Sequence, residues 1–572
     1  MSEHKYIQYV KIQKRLKKLK GLNGMKYDVA IIGAGLAGLT AACELIEKGR
    51  KVCLIDQESE QSIGGQAFWS FGGLFLVNSP EQRRLGIKDS KELAWQDWVG
   101  TARFDRLEDE DSWGYRWAKA YVDFAAGEKY EWLRSKGIRF FPVVGWAERG
   151  GMLADGHGNS VPRFHITWGT GPGLIEPFVK QVKEAAEKGQ IDLYMRHRVK
   201  EFMTENNKVV GVTGAILEDS IEERGKKTSR NEIGDFTIRA DAVVVATGGI
   251  GANFELVKKN WPSRLGEAPS SMVAGVPAYV DGSGLLAAEK IGGRIVNRDR
   301  MWHYTEGLKN WKPIWENHGI RILPGPSSMW FDALGNRFKV PNYPGFDTLS
   351  TLEAIMETGY DYSWFILTEK IIEKEFALSG SEQNLDITSK SVKEVLKRVM
   401  PGPPPAVQAF KDSGADFVIA DGLEELVAGM NKLAGNDLLN FIHIKNQIIA
   451  RDREIDNKFT KDAQLMAIHS ARKYIGDKLI RVAKPHKILD PKAGPLIAVR
   501  LNILTRKTLG GLQTNLNGQV INEAGEVIQG LFAAGEVCGF GGGGVHGYRS
   551  LEGTFLGGCL FTGRIVGQYL SR

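Results

Sequence analysis

Cysteine is nearly absent: four residues in a chain of 572, at positions 43, 53, 538 and 559. No pair has CxxC or other metal-ligand spacing, so neither a disulfide framework nor a metal centre is expected, and reduced thiols fit a cytoplasmic protein. The chain also lacks an uninterrupted apolar run of membrane-spanning length. Its first residues, KYIQYVKIQKRLKKLKGLNG, have neither the apolar stretch nor the small-residue cleavage site of a secretory signal. No internal repeat is visible. A broadly basic surface is missing as well, although the formal net charge is +7. Residues 1–25 hold seven basic side chains against Glu3, which accounts for six of those charges and leaves the rest near neutral. Nucleic acid is therefore not an expected partner. The interleaved Tyr6, Ile7, Tyr9, Val10, Ile12 and Leu16 give this arm an amphipathic cast: a solvated arm or a helix packed on the body is the commoner outcome, and peripheral contact with a membrane surface is the alternative.

What is present is a mononucleotide-binding pattern. In YDVAIIGAGLAGLTAACELIEKGRKVCLID, residues 27–56, a short β-branched run precedes GAGLAG, a helix-spaced apolar series follows, and a second strand ends at Asp56. Gly33, Gly35 and Gly38 are each required: for the tight turn, for close approach of backbone to a pyrophosphate, and for packing helix on strand. Leu36 and Ala37 open the helix, whose free N–H groups favour phosphate. Asp56, with Gln57 beside it, is placed to accept a hydrogen bond from a ribose. A second buried strand runs into a glycine turn at ADAVVVATGGIGAN, residues 240–253, and LFAAGEV closes a third region of short strands before a glycine-rich run. Between about 260 and 490 the texture changes to clustered tryptophan, tyrosine and proline, punctuated by PGPPP at 401–405. The expected organisation is a basic arm (1–25) and an α/β, Rossmann-type nucleotide domain in two pieces (26–260 and 491–572). Residues 261–490 form an inserted α+β capping domain with a helical extension.

The motif alone does not separate NAD from FAD. Three further segments resemble the flavoproteins of the fumarate reductase and succinate dehydrogenase superfamily, which also contains the 3-ketosteroid dehydrogenases: IGGQAFWSFGG (63–73), ATGGIGAN (246–253) and TLGGLQTNLNGQVINEAGEVIQGLFAAGEVCG (508–539). The ending GFGGGGVHGYRSLEGTFLGG is most similar to FAD-binding dehydrogenases related to the ketosteroid enzymes. The resemblance implies an FAD oxidoreductase. It places Gly64, Gly65, Gln66, Ser70, Gly72 and Gly73 along the pyrophosphate and flavin, and Ala246, Thr247 and Gly248 at the adenosine half. Gly535 and Glu536 fall at the ribityl chain, and Gly553 and Thr554 in the C-terminal flavin turn. No histidine stands near Gly64 where members with attached flavin carry one, so non-covalent FAD is implied. A second nucleotide site at DGSGLL (281–286) is disfavoured, because no β-branched strand precedes it.

The substrate is read from the departures. Members that reduce dicarboxylates carry a histidine directly before the T-x-G-G of the C-terminal signature, where this chain has Arg506 and Lys507. Ketosteroid members use tyrosine and backbone N–H groups on a ketone, and tyrosine suits an enolate because it donates a hydrogen bond and exchanges a proton. Tyr548, Arg549 and His546 are accordingly the expected catalytic residues. Aromatics of the insert (Trp302, Tyr304, Trp311, Trp315, Trp330, Tyr343, Tyr362, Trp364) are candidate pocket walls, more often core. The favoured activity is a CH–CH dehydrogenase or reductase on a ketone-bearing apolar small molecule, exchanging electrons with an unidentified acceptor or donor. Fumarate-type reduction of a dicarboxylate and a non-catalytic FAD-stabilised module are the alternatives.

Overall fold

A computed structural model describes residues 26–146, 155–400 and 402–572. The basic arm, and with it the alternative of a membrane contact there, lies outside the described residues. Strand β1 (Lys26–Ile32) leads through Gly33 into helix α1 (Leu36–Ile46), and the chain returns as β2 (Val52–Asp56), parallel to β1 with Val29 opposite Val52. These strands are apolar along nearly their whole length because helices or further structure cover both faces. On the other side of β1 runs the long β3 (Glu232–Val245), also parallel to it. The first half of β3 pairs antiparallel with Lys208–Leu217, and its last residues pair parallel with the strand introduced below as β5.

The second sheet is built on β4 (Leu496–Thr508), its longest strand. Tyr362–Thr368 and Phe417–Ala420 flank the first half of β4, and Met301–Lys309 and Val273–Ala274 flank the second. Its core holds Trp330, Phe331, Trp364 and Phe365. Five helices between Pro405 and Ile480 make up the helical extension. The first opens at Pro405, where a missing N–H costs nothing. Residues 496–508 thus pair with the cap, and the chain rejoins the nucleotide sheet at Gln519–Ile521 and β5 (Val527–Ala533).

The last helix, α2 (Thr554–Leu570), lies against α1, and a stripe of glycine allows the approach: a Cβ on Gly563 would stand 2.4 Å from the Ala37 carbonyl oxygen. The two ends of the sequence are joined in this way. At the carboxyl edge of the sheet, β5, β3, β1 and β2 end side by side and deliver Gly535, Ala246, Gly33 and Asp56 to one line. Ligands of open α/β sheets bind at this edge.

Burial also sets how the fold should respond to acid. His165 and His303 are pushed down to about 4 and His318 and His546 to about 3, each chiefly by desolvation. Desolvation pushes Asp56 up to about 6, and Glu375 and Glu382 up to about 7. Below pH 6.5 the unfolded state binds histidine protons that the native state refuses, so stability falls with falling pH, by about 1.4 kcal/mol per pH unit for each proton. From pH 7 to about 4.5 the native carboxyls bind protons that the unfolded state does not, which has the opposite sign. The melting temperature should therefore change little down to about pH 4.5 and drop steeply below it, where the imidazoles and the carboxylates that arginines hold below their usual range (Asp299, Asp386 and Asp462) pull the same way. A steady decline beginning at pH 6.5, followed by calorimetry, would contradict this.

Candidate FAD cleft and active site

One long cleft runs along the carboxyl edge of the sheet and under the cap, with about 1640 Å³ of space counted to its open mouth. Its floor is the β1–α1 turn. Gly33 has φ +105°, and a Cβ there would stand 2.4 Å from the Ala246 carbonyl oxygen; one on Gly38 would stand 2.0 Å from the Gly33 oxygen. Gly35 is different: nothing lies within 4 Å of its Cβ position, which faces the cleft. The turn is tight where protein meets protein and open where a ligand would lie. Gly64, also left-handed, donates its N–H to Ala34 and brings the 63–73 loop against this turn.

Asp56 lines the cleft and accepts hydrogen bonds from the backbone N–H of Ala34 (2.7 Å) and Glu58 (2.8 Å). Near it, the Thr247 hydroxyl and the Gln57 side-chain oxygen are buried without a protein partner. Such orphaned polar atoms are costly unless a ligand satisfies them. Farther along, Glu536 accepts from the Thr508 N–H and from Gln66 Nε2, both at 2.8 Å, and Gln66 Oε1 accepts from Lys507 Nζ at 3.1 Å. Desolvation lowers the Lys507 pKa. Ser70 serves its own turn: its hydroxyl donates to the Ala67 carbonyl and accepts from the Gly72 N–H. At the far end Gly553 N-caps α2 with no side chain over the helix terminus, which leaves donors and a partial positive charge facing the cleft.

Of the expected cofactor residues, Gly33, Gly35, Leu36, Ala37, Asp56, Gln57, Gly65, Gln66, Ser70, Gly72, Gly73, Ala246, Thr247, Gly248, Gly535, Glu536 and Gly553 all line this cleft. Gly38, Gly64 and Thr554 stand behind its wall. The DGSGLL segment contributes Ser283 and Gly284 to the same wall, where Gly284 packs on Thr247. It makes no separate site.

The expected catalytic residues sit apart from the lining of this cleft. None of Tyr548, Arg549 and His546 lines the cleft. Left-handed turns from Gly539 to Gly547 send Phe540 inward and carry the next residues past the opening. The Tyr548 ring lies under the Arg300 guanidinium at 3.9 Å, and its hydroxyl donates to Asp105 at 3.0 Å. Arg549 is buried beside Asp347. His546 is fully buried, stacked on Trp98 and hydrogen-bonded to the Thr554 hydroxyl at 2.8 Å. Arg300, Arg106 and Asp105 hold Tyr548, Asp347 holds Arg549, and Trp98 and Thr554 hold His546, through contacts that only the folded chain creates.

The polar cluster that does face the cleft joins two cap strands to the loop before α2. Arg321 Nη1 donates to Glu552 Oε1 at 2.7 Å, and the Tyr304 hydroxyl donates to the same oxygen at 3.1 Å. The guanidinium lies 3.8 Å from the Tyr304 ring centre, and Glu306 stands 3.6 Å from Arg321 Nε. Of the aromatics considered from the insert, Tyr304 alone reaches the cleft; Trp330, Tyr362 and Trp364 pack the cap core. Arg321 carried no motif signal, whereas Glu552 was visible in SLEGTF directly before the glycine that caps α2.

The FAD binding domain family matches residues 28–556. The chain belongs to it. A KsdD-like steroid dehydrogenase of Mycolicibacterium smegmatis is 61% identical over 529 residues, 92% of this chain and 96% of that protein. Among solved structures, the 3-ketosteroid Δ1-dehydrogenase of Sterolibacterium denitrificans, in complex with 1,4-androstadiene-3,17-dione, superposes with a TM-score of 0.64 at 16% identity, covering 96% of this chain and 99% of that one. The open form of a flavocytochrome c3 fumarate reductase superposes with 0.61 at 21% identity, covering 98% and 80%. At those identities the superpositions show the shared fold. The protein is an FAD-dependent oxidoreductase of this family, and the cleft fits the cofactor: an open Gly35 face, bare helix ends and orphaned hydroxyl and amide groups lie along one line. No described helix is long and apolar enough to cross a membrane.

Proposed function

We propose that this protein oxidises or reduces a carbon–carbon bond beside a ketone in a largely apolar, steroid-like substrate. One observation carries the reading. A second cavity adjoins the cleft and shares Phe71, Phe164, Leu323, Arg321 and Glu552 with it; Phe141, Val143, Val144, Ile166 and Ile480 are among its other walls, with Tyr474, Asp477 and Arg481. A largely apolar molecule suits these walls, and the polar cluster stands where chamber meets cleft. The relatives named as steroid dehydrogenases support the same substrate class. Arg321, the guanidinium at that junction, is already held by Glu552 and Glu306, so a dicarboxylate would meet a cation neutralised by two acids.

Bound in the cleft, FAD would accept or give the hydride. The remaining work falls to the chain. The Tyr304 hydroxyl passes its own proton to Glu552 as its oxygen takes the proton from the carbon next to the ketone, and in reduction the two transfers run in reverse. Arg321 over the ring stabilises negative charge that gathers on the tyrosine oxygen or the substrate carbonyl. The apolar walls exclude water, which strengthens both effects. Anaerobic flavin bleaching with a panel of steroid ketones, cyclic enones and dicarboxylates tests the proposal: ketones should bleach and dicarboxylates should not. Bleaching by dicarboxylates alone would select the fumarate-type reading, with Arg506 and Lys507 as the anion-binding groups.

The flavin is held without a covalent bond in this reading. His197 is the one histidine among the described residues lining the cleft, and it sits at the Arg198–Phe202 end, its Nδ1 on the Met195 carbonyl. The cleft's thiol, Cys559, is pushed up to about 12, chiefly by desolvation, which disfavours the thiolate that attachment would need. Acid precipitation should leave all yellow colour in the supernatant; colour retained in the pellet would show attachment.

A further inference from the structure

We infer that the protein docks on an anionic lipid surface through an apolar patch on the outer side of its substrate chamber. Six large apolar side chains stand more than half exposed on two segments: Leu385, Val392, Leu396, Met400, Ile475 and Leu479. The segments adjoin, because the helix Ile475–Ile480 packs against the turn Lys397–Val399 that continues the helix Val392–Leu396. Single exposed apolar residues are ordinary, but a contiguous group of this kind marks a surface that meets another apolar phase.

Two further observations identify that phase. The first is charge. Residues 385–400 and 472–481 together carry eight basic side chains against three acidic ones, in a protein whose charge is otherwise nearly balanced. Of the acidic three, Asp386 is bound to Arg398 and Glu394 to Lys397, and Asp477 is buried. Exposed Lys393, Lys473 and Lys478 interleave with the apolar residues. Apolar side chains set among lysines are the composition of an interfacial segment, in which the lysines add attraction to anionic headgroups. The second observation is position. On the helix Ile475–Ile480, Gly476, Asp477 and Ile480 line the apolar chamber, while Ile475, Lys478 and Leu479 face outward. One turn of helix separates the chamber from the patch. An enzyme whose substrate dissolves in lipid rather than water gains from having its chamber wall at the bilayer. The docking itself does not depend on the steroid reading; the benefit to turnover does.

The test uses the full-length holoprotein with vesicles of phosphatidylcholine and phosphatidylglycerol, against phosphatidylcholine alone. Binding should appear on the anionic vesicles and weaken with salt. Leu396→Glu with Leu479→Glu, and separately Lys393→Glu with Lys478→Glu, should each lower it at least about tenfold, with visible flavin absorbance retained as proof of folding. Protein lacking residues 1–25 should keep patch-dependent binding. A wild type that ignores the vesicles overturns the inference, as does binding that vanishes with the arm and survives the patch variants. A wild-type dimer that the patch variants convert to monomer, without vesicle binding, would show that a second copy covers the patch. Turnover of a ketosteroid carried in vesicles should fall in the patch variants, while turnover of the same compound carried by cyclodextrin should not. Vesicle binding with no ketosteroid turnover from either carrier would reject the substrate reading and leave the docking surface standing.

Discussion

Gly35→Leu should yield a folded, colourless protein. The Cβ position at Gly35 meets no protein atom within 4 Å and lies on the cleft, so the added side chain has no core to disturb. It enters the cleft where the β1–α1 turn brings backbone closest to a pyrophosphate, and there it excludes the ligand. Flavin content should drop to background while the far-ultraviolet spectrum and gel-filtration volume stay those of a folded chain. Gly38→Leu is the contrast. Its Cβ would stand 2.0 Å from a backbone oxygen, so that variant should fail to fold. If Gly35→Leu still binds FAD at wild-type occupancy, the cofactor does not cross this turn.

The second large effect concerns the acid/base group. Tyr304→Phe deletes the hydroxyl 3.1 Å from Glu552 and keeps the ring that Arg321 covers. FAD content should be unchanged, and substrate-dependent flavin reduction should fall about 100-fold or more, the scale for losing a positioned acid or base. Tyr548→Phe should alter it by less than about threefold, because that hydroxyl serves Asp105 outside the cleft; exposed or remote polar contacts contribute little. Rapid-mixing reduction kinetics on both variants separate the two positions. A large loss at Tyr548 with little at Tyr304 would return the role to the glycine-rich C-terminal run.

Much of the cofactor cleft was legible because its requirements are local. A turn that approaches a phosphate needs glycine at set spacing, and a buried parallel strand needs an unbroken apolar run, so Val29–Ile32, Gly33, Gly35, Ala246 and Gly535 declare themselves in short windows of sequence. The family resemblance then supplied the choice of FAD over NAD, which no window carries by its own chemistry. The cap was legible only as a change of texture. That β4 belongs with the cap sheet, between Tyr362–Thr368 and Met301–Lys309, is a matter of long-range pairing, and a buried apolar strand reads the same in either sheet.

The reacting groups follow the same division. Tyr548 stands in a glycine-rich neighbourhood that suits a flavin contact, and by sequence it is the stronger candidate. The folded chain instead offers its ring to Arg300 and Arg264, some 250 to 280 residues away in sequence, and turns the backbone past the cleft at Gly547. Tyr304, Arg321 and Glu552 come from two strands of the cap and from the loop before α2, and no spacing rule relates them. What the sequence by itself determined is the nucleotide half: which backbone can approach a phosphate, and along which edge. The tertiary structure decided which side chains line the cleft beside it, because that depends on where charges separated by hundreds of residues find each other when the cap packs on the sheet.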